Sequence, residues 1–251
     1  MSVVVPPRLR WLVDKWRSIG SPEQDGIAWP WQRWAERFPA EAQTFQALPQ
    51  RLTRPVVRRA CQDAAASPVA AERAFLTVMA WGYGGTGYGP YRVQRVLEAT
   101  RDAGPILRSA ADELASGEPV QAYARLGDHG AARLPGLGPA FGTKFLYFCS
   151  PPGTEPALIL DRLVAGWLSG HAGLRLNQIR WSASTYLRYL TTMSEWADEM
   201  TLPPDKLEAC VFMAAAADRG GQWAQRQSQA IPGTALQRTA SIGGNGHEQT
   251  S

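Results

Sequence analysis

Residues 134–168 contain the side chains of this sequence that are best suited to chemistry. Lys144 is one of only three lysines among the 26 basic residues, so arginine supplies plain positive charge almost everywhere else. A lysine can lose its proton in a desolvated site and attack a carbon atom to form a Schiff base, which an arginine cannot do. Asp161 precedes an apolar run, where an aspartate usually caps a helix. Taken alone, Asp161 is therefore better explained as a helix cap than as a catalytic residue.

The turn before Lys144 is built from glycine and proline. Gly136 and Gly138 bracket Leu137, and Pro139 suits the first turn of a helix. The two glycines allow positive φ angles and a close approach of backbone amides to another molecule. Amides at such a turn, followed by a helix N-terminus, can bind a phosphate. An ordinary connection between two helices is the alternative interpretation.

LPGLG, residues 134–138, resembles the hairpin of the helix-hairpin-helix DNA glycosylases. In that superfamily a helix and a loop follow the hairpin, and then an aspartate begins another helix. LDRLVA, residues 160–165, supplies that aspartate as Asp161. Together with Lys144, the combination resembles the 8-oxoguanine glycosylase branch. The resemblance implies an enzyme that flips a modified base out of double-stranded DNA, cleaves its N-glycosidic bond and leaves an abasic site. It implies no cofactor, apart from a monovalent cation that hairpin carbonyls could bind.

The resemblance also implies roles for the two candidate catalytic residues. Cleavage passes through an oxocarbenium-like sugar, which Asp161 would stabilise while it activates water. Lys144 departs from the family pattern, because members with lyase activity carry the lysine two residues past the second hairpin glycine, where Ala140 stands. Lys144 is one helical turn further on the same face, so it could reach the same pocket or hold a phosphate. We expect hydrolysis directed by Asp161, with Schiff-base lyase chemistry as the alternative.

A second unusual stretch is WGYGGTGYGPY, residues 81–91, which reads as a glycine-rich loop between two helices. Glycosylases hold an extruded base between aromatic or apolar side chains, and an inserted side chain can fill the vacated stack. We therefore expect the aromatic residues of this loop to line the base pocket or to act as a wedge, with core packing as the alternative. These residues are Trp81, Tyr83, Tyr88 and Tyr91.

The predicted DNA contacts lie in the hairpin and on one basic helix. Gly136, Leu137 and Gly138 would bind a phosphate through their amides. Arg58 and Arg59 lie on a predicted helix and could contact further backbone phosphates, although a solvated basic face is the alternative.

The elements that must position these residues are helices. No alternating strand pattern and no internal repeat is evident, so we expect an all-α, compact helix-hairpin-helix glycosylase fold. The domain would span residues 1–230, with the hairpin motif at 134–149 and the aspartate region at 158–168. A disordered tail rich in Gly, Ser and Thr would follow at 231–251. Apolar spacing and Gly/Pro breaks predict helices at 7–18, 53–66, 68–81, 90–102, 105–116, 118–126, 139–149, 178–199 and 204–218.

Composition excludes several classes of protein. The 251 residues are 45% apolar and 19% charged and include ten tryptophans, which excludes wholesale disorder. The three cysteines are far apart in sequence and have no CxxC spacing, which argues against a zinc ribbon, an iron–sulfur cluster or a secreted disulfide scaffold. We expect no metal site, no membrane segment, a monomer and a cytoplasmic location. Residues 1–60 carry ten basic against five acidic residues, which suits a polyanionic partner or a solvated basic face.

Two substrate hypotheses follow from the resemblance. The slightly favoured one is a hypermodified phage cytosine such as glucosylated hydroxymethylcytosine, removed in anti-phage defence. It is favoured because the usual lysine position is empty and because the strand-rich N-terminal domain of the best-known 8-oxoguanine enzymes is missing. The other is repair of 8-oxoguanine and related oxidised purines. A non-catalytic helix-hairpin-helix DNA-binding module and a helical protein-interaction domain are the alternatives from other classes.

Overall fold

The chain is mainly helical in the computed structural model, which describes residues 4–127, 134–154, 156–177 and 179–218. This architecture confirms the all-α class. Two short strands, β1 (Ile27–Ala28) and β2 (Arg51–Leu52), pair antiparallel, and a short 3₁₀ helix spans Pro39–Glu41. The α-helices are α1 (Pro7–Ser18), α2 (Trp31–Arg37), α3 (Ala42–Ala47), α4 (Arg54–Ala60), α5 (Pro68–Tyr83), α6 (Gly89–Glu98), α7 (Ala103–Ala115), α8 (Pro119–Gly127), α9 (Pro139–Cys149), α10 (Arg162–Ala172), α11 (Ala183–Glu199) and α12 (Pro204–Ala217).

Side-chain caps and prolines determine where many of these helices begin. Proline occupies the first turn of α1, α4, α5, α9 and α12, where its missing amide hydrogen costs no helical hydrogen bond. Thr53, Ser67 and Ser182 cap α4, α5 and α11 by accepting a backbone amide of the first turn. These local signals explain why the predicted starts of α1, α5, α9 and α12 agree with the structure.

Three sequence predictions about the elements were wrong. The predicted helix at 53–66 ends as α4 at Ala60, and turns lead from there to the cap of α5. The predicted helix at 178–199 begins only at Ala183, after its Ser182 cap, which leaves Ile179 outside the helix and 82% exposed. The short helices α2 and α3 were missed. They are one to two turns long, too short for a clear apolar period.

The supposed glycine-rich loop at 81–91 is also shorter than predicted. Helix α5 continues through Gly82 to Tyr83 and ends where Gly84 takes a positive φ of 55°. The next helix starts at Gly89, so only residues 84–88 form a loop. Trp81 and Tyr83 are therefore helical residues of α5, and Tyr91 belongs to α6.

Two helices at the centre of the packing carry the candidate catalytic region. Helix α9, buried from Gly142 to Cys149, packs against α4, α5, α7 and α8. Helix α12 packs against α1, α10 and α11. The apolar core is continuous across these helices. A helix buried on most of its circumference has little freedom to shift, so residues on α9 are held firmly in place.

Most of the tryptophans near the N-terminus pack into the core. Trp16, Trp29 and Trp34 are buried, whereas Trp11 is 48% exposed and lies under the Arg8 guanidinium. None of the described helices combines the length and the apolar character needed to cross a membrane. The predicted tail at 231–251 lies outside the described residues, and the domain limits 1–230 stay a prediction.

Candidate active site

Asp161 and Lys144 meet at the end of a buried extended segment. Asp161 is the N-cap of α10, where its Oδ1 accepts the amides of Leu163 (2.9 Å) and Val164 (3.1 Å). Its Oδ2 accepts a hydrogen bond from Lys144 Nζ at 3.2 Å, and the two side chains are only 13% and 11% exposed. Lys144 Nζ also lies 3.4 Å from the carbonyl of Ala140, one turn earlier on α9. The carboxylate is thus fixed by the helix on one oxygen and paired with an ammonium on the other.

The extended segment at 157–160 sets the position of Asp161. These residues are at most 1% exposed and lie in neither a helix nor a strand, so side chains must satisfy their backbone polar groups. Four hydrogen bonds to side chains satisfy four of these backbone groups. They join Ala157 N to Ser150 Oγ (3.0 Å), Tyr186 Oη to Leu158 O (2.9 Å), Tyr189 Oη to Ile159 O (2.8 Å) and Leu160 N to Thr143 Oγ1 (3.0 Å).

A cavity of about 250 Å³ opens beside the Asp161–Lys144 pair. Its apolar wall comes from α5, α10, α12 and the first strand, through Trp81, Leu163, Phe212 and Ile27. Gly82 also lines it, and a Cβ atom there would stand 2.9 Å from the Phe141 ring and 3.3 Å from the Lys144 chain. Glycine at this position therefore allows α9 to bring Lys144 against α5. A recess that combines an apolar wall with convergent polar groups is the usual form of a small-molecule site.

A chain of three polar residues forms the floor of the cavity. Glu208 is fully buried, and its Oε2 accepts a hydrogen bond from Arg54 Nη1 at 2.7 Å. Arg54 Nε in turn donates to Gln24 Oε1 at 3.0 Å. Because a guanidinium only donates, the Gln24 carbonyl must face Arg54, which leaves the Gln24 amide hydrogens for another partner. The Arg54 guanidinium also lies over the rings of Trp81 and Tyr147.

Burial governs the charge states of this floor. Burial raises the pKa of Glu208 above its ordinary value of 4.5, although Arg54 acts against this shift. Burial is the largest single influence on the pKa of Arg54 and acts to lower it, but Glu208 and Tyr147 together outweigh burial and the net direction is upward. The guanidinium is therefore charged at any physiological pH, and the site depends on Glu208 to compensate that charge.

The hairpin turn presents backbone amides to solvent. Leu137 N donates to Leu134 O at 3.1 Å, and Gly136 takes a positive φ of 86° that favours glycine. Across the residues that the structure describes, the amides of Gly136 and Gly138 donate to no protein acceptor. A Cβ atom at Gly138 would contact nothing within 4 Å, so the turn faces open space. Phosphate binding here, and a cation at the hairpin carbonyls, stay predictions.

The four aromatic residues predicted for the base pocket form two groups in the structure. Trp81 and Tyr83 lie on α5, whereas Tyr88 and Tyr91 lie at the start of α6. Trp81 is 5% exposed and lines the cavity. Tyr83 is half-buried and stacks on Phe141 with ring centroids 4.4 Å apart, and burial raises its pKa above 10.0. Tyr88 and Tyr91 are instead 55% and 45% exposed and lie outside the cavity. The sequence could not separate these groups because it suggested one loop.

Arg58 and Arg59 line two other recesses, which are separate from the cavity beside Asp161 and Lys144. Arg58 forms an ion pair with Asp205 at 3.7 Å and lies over the Tyr147 ring. Arg59 is exposed next to Ala47, Leu48 and Pro49. The sequence analysis also missed Gln24, Arg54 and Glu208, because no local motif marks residues that meet only through the fold. No group of three or more His, Cys, Asp or Glu side chains suited to a metal ion occurs within the described ranges.

One of three comparisons with known proteins gave a match. No curated protein and no solved structure gave a match to the chain. A family model described as "Putative 8-oxoguanine DNA glycosylase OGG-like protein" matches residues 20–212. The matched range covers more than half of the chain and includes the hairpin, Lys144 and Asp161. The chain therefore belongs to the OGG-like family of DNA glycosylases.

Proposed function

We propose that this protein flips one base of duplex DNA into the cavity beside Asp161 and hydrolyses its N-glycosidic bond. The observation that carries the proposal is the buried Asp161–Lys144 pair at the wall of a cavity of about 250 Å³. The family match supports glycosidic chemistry on DNA. A protein that only binds DNA would gain nothing from a carboxylate near the phosphates, which would repel them.

In the proposed mechanism Asp161 acts on the sugar. The C1′–N bond breaks, the base leaves with the electron pair, and positive charge develops on the sugar ring. The Asp161 carboxylate, fixed through Oδ1 by two helix amides, would stabilise this cation and orient water for attack at C1′. The water oxygen bonds to C1′, and its proton passes to the departing base.

Lys144 has two possible parts in this reaction. As an ammonium ion it donates to Asp161 Oδ2 and would orient the carboxylate. An ammonium nitrogen has no lone pair, so attack on C1′ would first require transfer of a proton, and Asp161 Oδ2 at 3.2 Å is within reach to accept it. Our proposal assigns Lys144 the first role, which makes the enzyme a hydrolase without strand-cleaving activity.

We propose an oxidised purine such as 8-oxoguanine as the substrate. The amide hydrogens of Gln24 are suited to a carbonyl oxygen on the base edge, and oxidised guanine carries two such oxygens whereas adenine carries none. The cavity of about 250 Å³ lies below the roughly 300–1,000 Å³ of pockets for drug-sized ligands. It suits a single base better than a base that carries a hexose. The glucosylated cytosine favoured by the sequence finds no support in the family match, and it enters the test as a competing substrate.

The test uses three duplexes, containing 8-oxoguanine, glucosylated hydroxymethylcytosine or no modification. Abasic sites are measured by strand scission with and without alkali. We expect scission of the 8-oxoguanine duplex only after alkali. Scission without alkali would instead make Lys144 the nucleophile, and scission of only the glucosylated duplex would identify the phage base as the substrate. Salt-dependent binding without abasic sites on any duplex would favour a non-catalytic DNA-binding module.

Replacing the carboxylate tests the role of Asp161 directly. In Asp161→Asn the side-chain carbonyl can still cap α10, so the fold should persist while the negative charge is lost. We expect single-turnover excision to fall about 100-fold or more, with DNA binding retained. Asp102→Asn is the matched control, because Asp102 is an exposed residue at the N-cap of α7 whose side chain makes no cap hydrogen bond. A fully active Asp161→Asn variant would refute the mechanism.

A further inference from the structure

A groove separate from the base cavity lies between the hairpin and α6. Its volume is about 400 Å³, and it is lined on one side by Pro135 and Gly136 and on the other by Tyr88, Arg92 and Arg95. Gly136 approaches α6 closely, because a Cβ atom there would stand 3.4 Å from Val96. The hairpin turn and one face of α6 therefore form a single continuous surface.

Four arginines surround the exposed tyrosines of this surface, and we call them the arginine cluster: Arg33 and Arg37 from α2, and Arg92 and Arg95 from α6. All four are exposed. The Arg37 and Arg95 guanidiniums lie 5.4 and 6.0 Å from the centroid of the Tyr91 ring. Arg33 lies against the loop at Gly87, where a Cβ atom would collide with its guanidinium.

The positive charge of the arginine cluster is not neutralised within the part of the chain that the structure describes. None of its members forms an ion pair there, and the acidic residue at the end of α6, Glu98, accepts a hydrogen bond from Gln94. Arg58 differs, because its guanidinium is paired with Asp205. Unpaired arginines interleaved with exposed aromatic rings are typical of surfaces that contact nucleic acid.

The groove adjoins the base cavity across one stacked pair of rings. Tyr83 and Phe141 form this pair, with an angle of 20° between the ring planes. On one side Phe141 lies against Lys144 of the cavity wall, with Nζ 5.4 Å from the ring centroid. On the other side Tyr83 lies against the start of α6 at Gly89. A nucleotide in the cavity would therefore place its neighbouring phosphates close to the groove.

We propose that the arginine cluster and the hairpin turn together form the surface that holds the DNA backbone beside the flipped nucleotide. Arg92 and Arg95 would contact phosphates from one wall of the groove, and the backbone amides of Gly136 and Gly138 from the other. Arg58 and Arg59, which the sequence indicated, would contribute little. The inference depends on the proposed function only in taking DNA as the ligand.

The test measures the salt dependence of binding to an unmodified duplex by fluorescence anisotropy between 50 and 200 mM KCl. On B-DNA, log K falls linearly with log salt concentration, and each phosphate contact makes this negative slope steeper by about 0.9. For Arg92→Gln/Arg95→Gln we expect the slope to become less steep by about 2. Arg58→Gln/Arg59→Gln is the control and should keep the wild-type slope. Both double variants replace partly or fully exposed side chains, and their helical circular dichroism should match the wild type.

The outcomes separate this inference from the proposed function. An unchanged slope for Arg92→Gln/Arg95→Gln, or an equal decrease for the α4 control, would overturn the inference. Salt-independent binding by the wild type would also overturn it. Excision is measured separately on the modified duplexes at saturating protein, where weaker binding no longer limits the rate. A protein that excises no base but shows the expected slopes would lose the proposed function and keep the DNA surface.

Discussion

The two carboxylate oxygens of Asp161 have different partners. Oδ1 caps α10, and Oδ2 faces Lys144 at the cavity. The N-cap position could be predicted from sequence because an aspartate before an apolar run is a local signal. Its pairing with Lys144 could only be expected from the resemblance, because α9 and α10 are joined by a segment whose course depends on tertiary hydrogen bonds.

We expect the stability of the fold to depend strongly on the single charge of Glu208 in the cavity floor. Glu208→Gln keeps the shape of the side chain but leaves the Arg54 guanidinium buried and uncompensated. Breaking a buried ion pair in this way costs about 3–5 kcal/mol, and we expect a matching decrease in the free energy of unfolding measured in urea.

The matched control for this variant is Glu199→Gln, which removes the acidic partner of Arg10 in an exposed ion pair. Exposed pairs contribute about 0–1 kcal/mol. If both variants lost the same small amount, the Arg54–Glu208 pair would not carry the stability assigned to it.

At the scale of the element, the extended segment at 157–160 explains how a residue between two helices can be placed accurately. Its backbone is bonded to side chains of α9, of α11 and of Ser150, so the segment is fixed although it forms no ladder with another strand. The sequence showed no sign of it, because the four hydrogen-bonding side chains lie 7 to 30 positions from their partners.

Thr143 offers a test of this element close to the site. Thr143→Val keeps the volume but leaves Leu160 N buried without its acceptor, next to Asp161. We expect a loss of about 1–3 kcal/mol in the free energy of unfolding and slower excision, measured by urea unfolding and single-turnover assays.

Thr77→Val provides the comparison within another buried helix. Thr77 Oγ1 donates only to the carbonyl of Arg73, which the helix already bonds, so its removal should cost little. Equal effects of the two substitutions would contradict the role given to the extended segment.

At the scale of the whole molecule, the helices with strong local signals were the predictable part. Helices α1, α5, α9 and α12 have a proline at the start and a sustained apolar pattern, and they were placed within two residues. The short helices and the exact limits of α4 and α11 depend on caps and tertiary contacts, which the spacing of apolar residues in the sequence does not reveal. The DNA contacts of Arg58 and Arg59 stay a prediction, and the sequence could not reveal that Arg58 pairs with Asp205, because charge pairing is decided by tertiary contacts.

Buried acids with raised pKa values should limit the stability of the whole molecule in alkali. Burial raises the pKa of Cys210 from 9.0 to about 12, and it raises the pKa values of Tyr186 and Tyr189. The folded state keeps these protons where the unfolded chain loses them, so stability is complete below pH 9 and decreases as the pH rises towards 12.

Urea unfolding at intervals from pH 7 to pH 11 measures this decrease. Between pH 9 and pH 12, ionisation of Cys210 in the unfolded chain lowers the free energy of unfolding by about 1.4 kcal/mol per pH unit. We therefore expect Cys210→Ala to make the dependence of the unfolding free energy on pH less steep by about this amount. The readout is the slope of the unfolding free energy against pH. The stability at a single pH is not used, because the lost side-chain packing costs the same free energy at every pH. A variant with an unchanged slope would show that another group is responsible.

The residues that line the cavity beside Asp161 and Lys144 run from Gln24 to Phe212 and come from segments that are far apart in the sequence. Synthesis on the ribosome proceeds from the N-terminus, and helix α12 emerges after Lys144 and Asp161. Until then Arg54 lacks Glu208, and the cavity lacks the wall that Phe212 provides. A nascent chain that lacks α12 therefore contains Lys144 and Asp161 without the complete cavity, and under the proposed function we expect no base excision before α12 has packed onto α10 and α11.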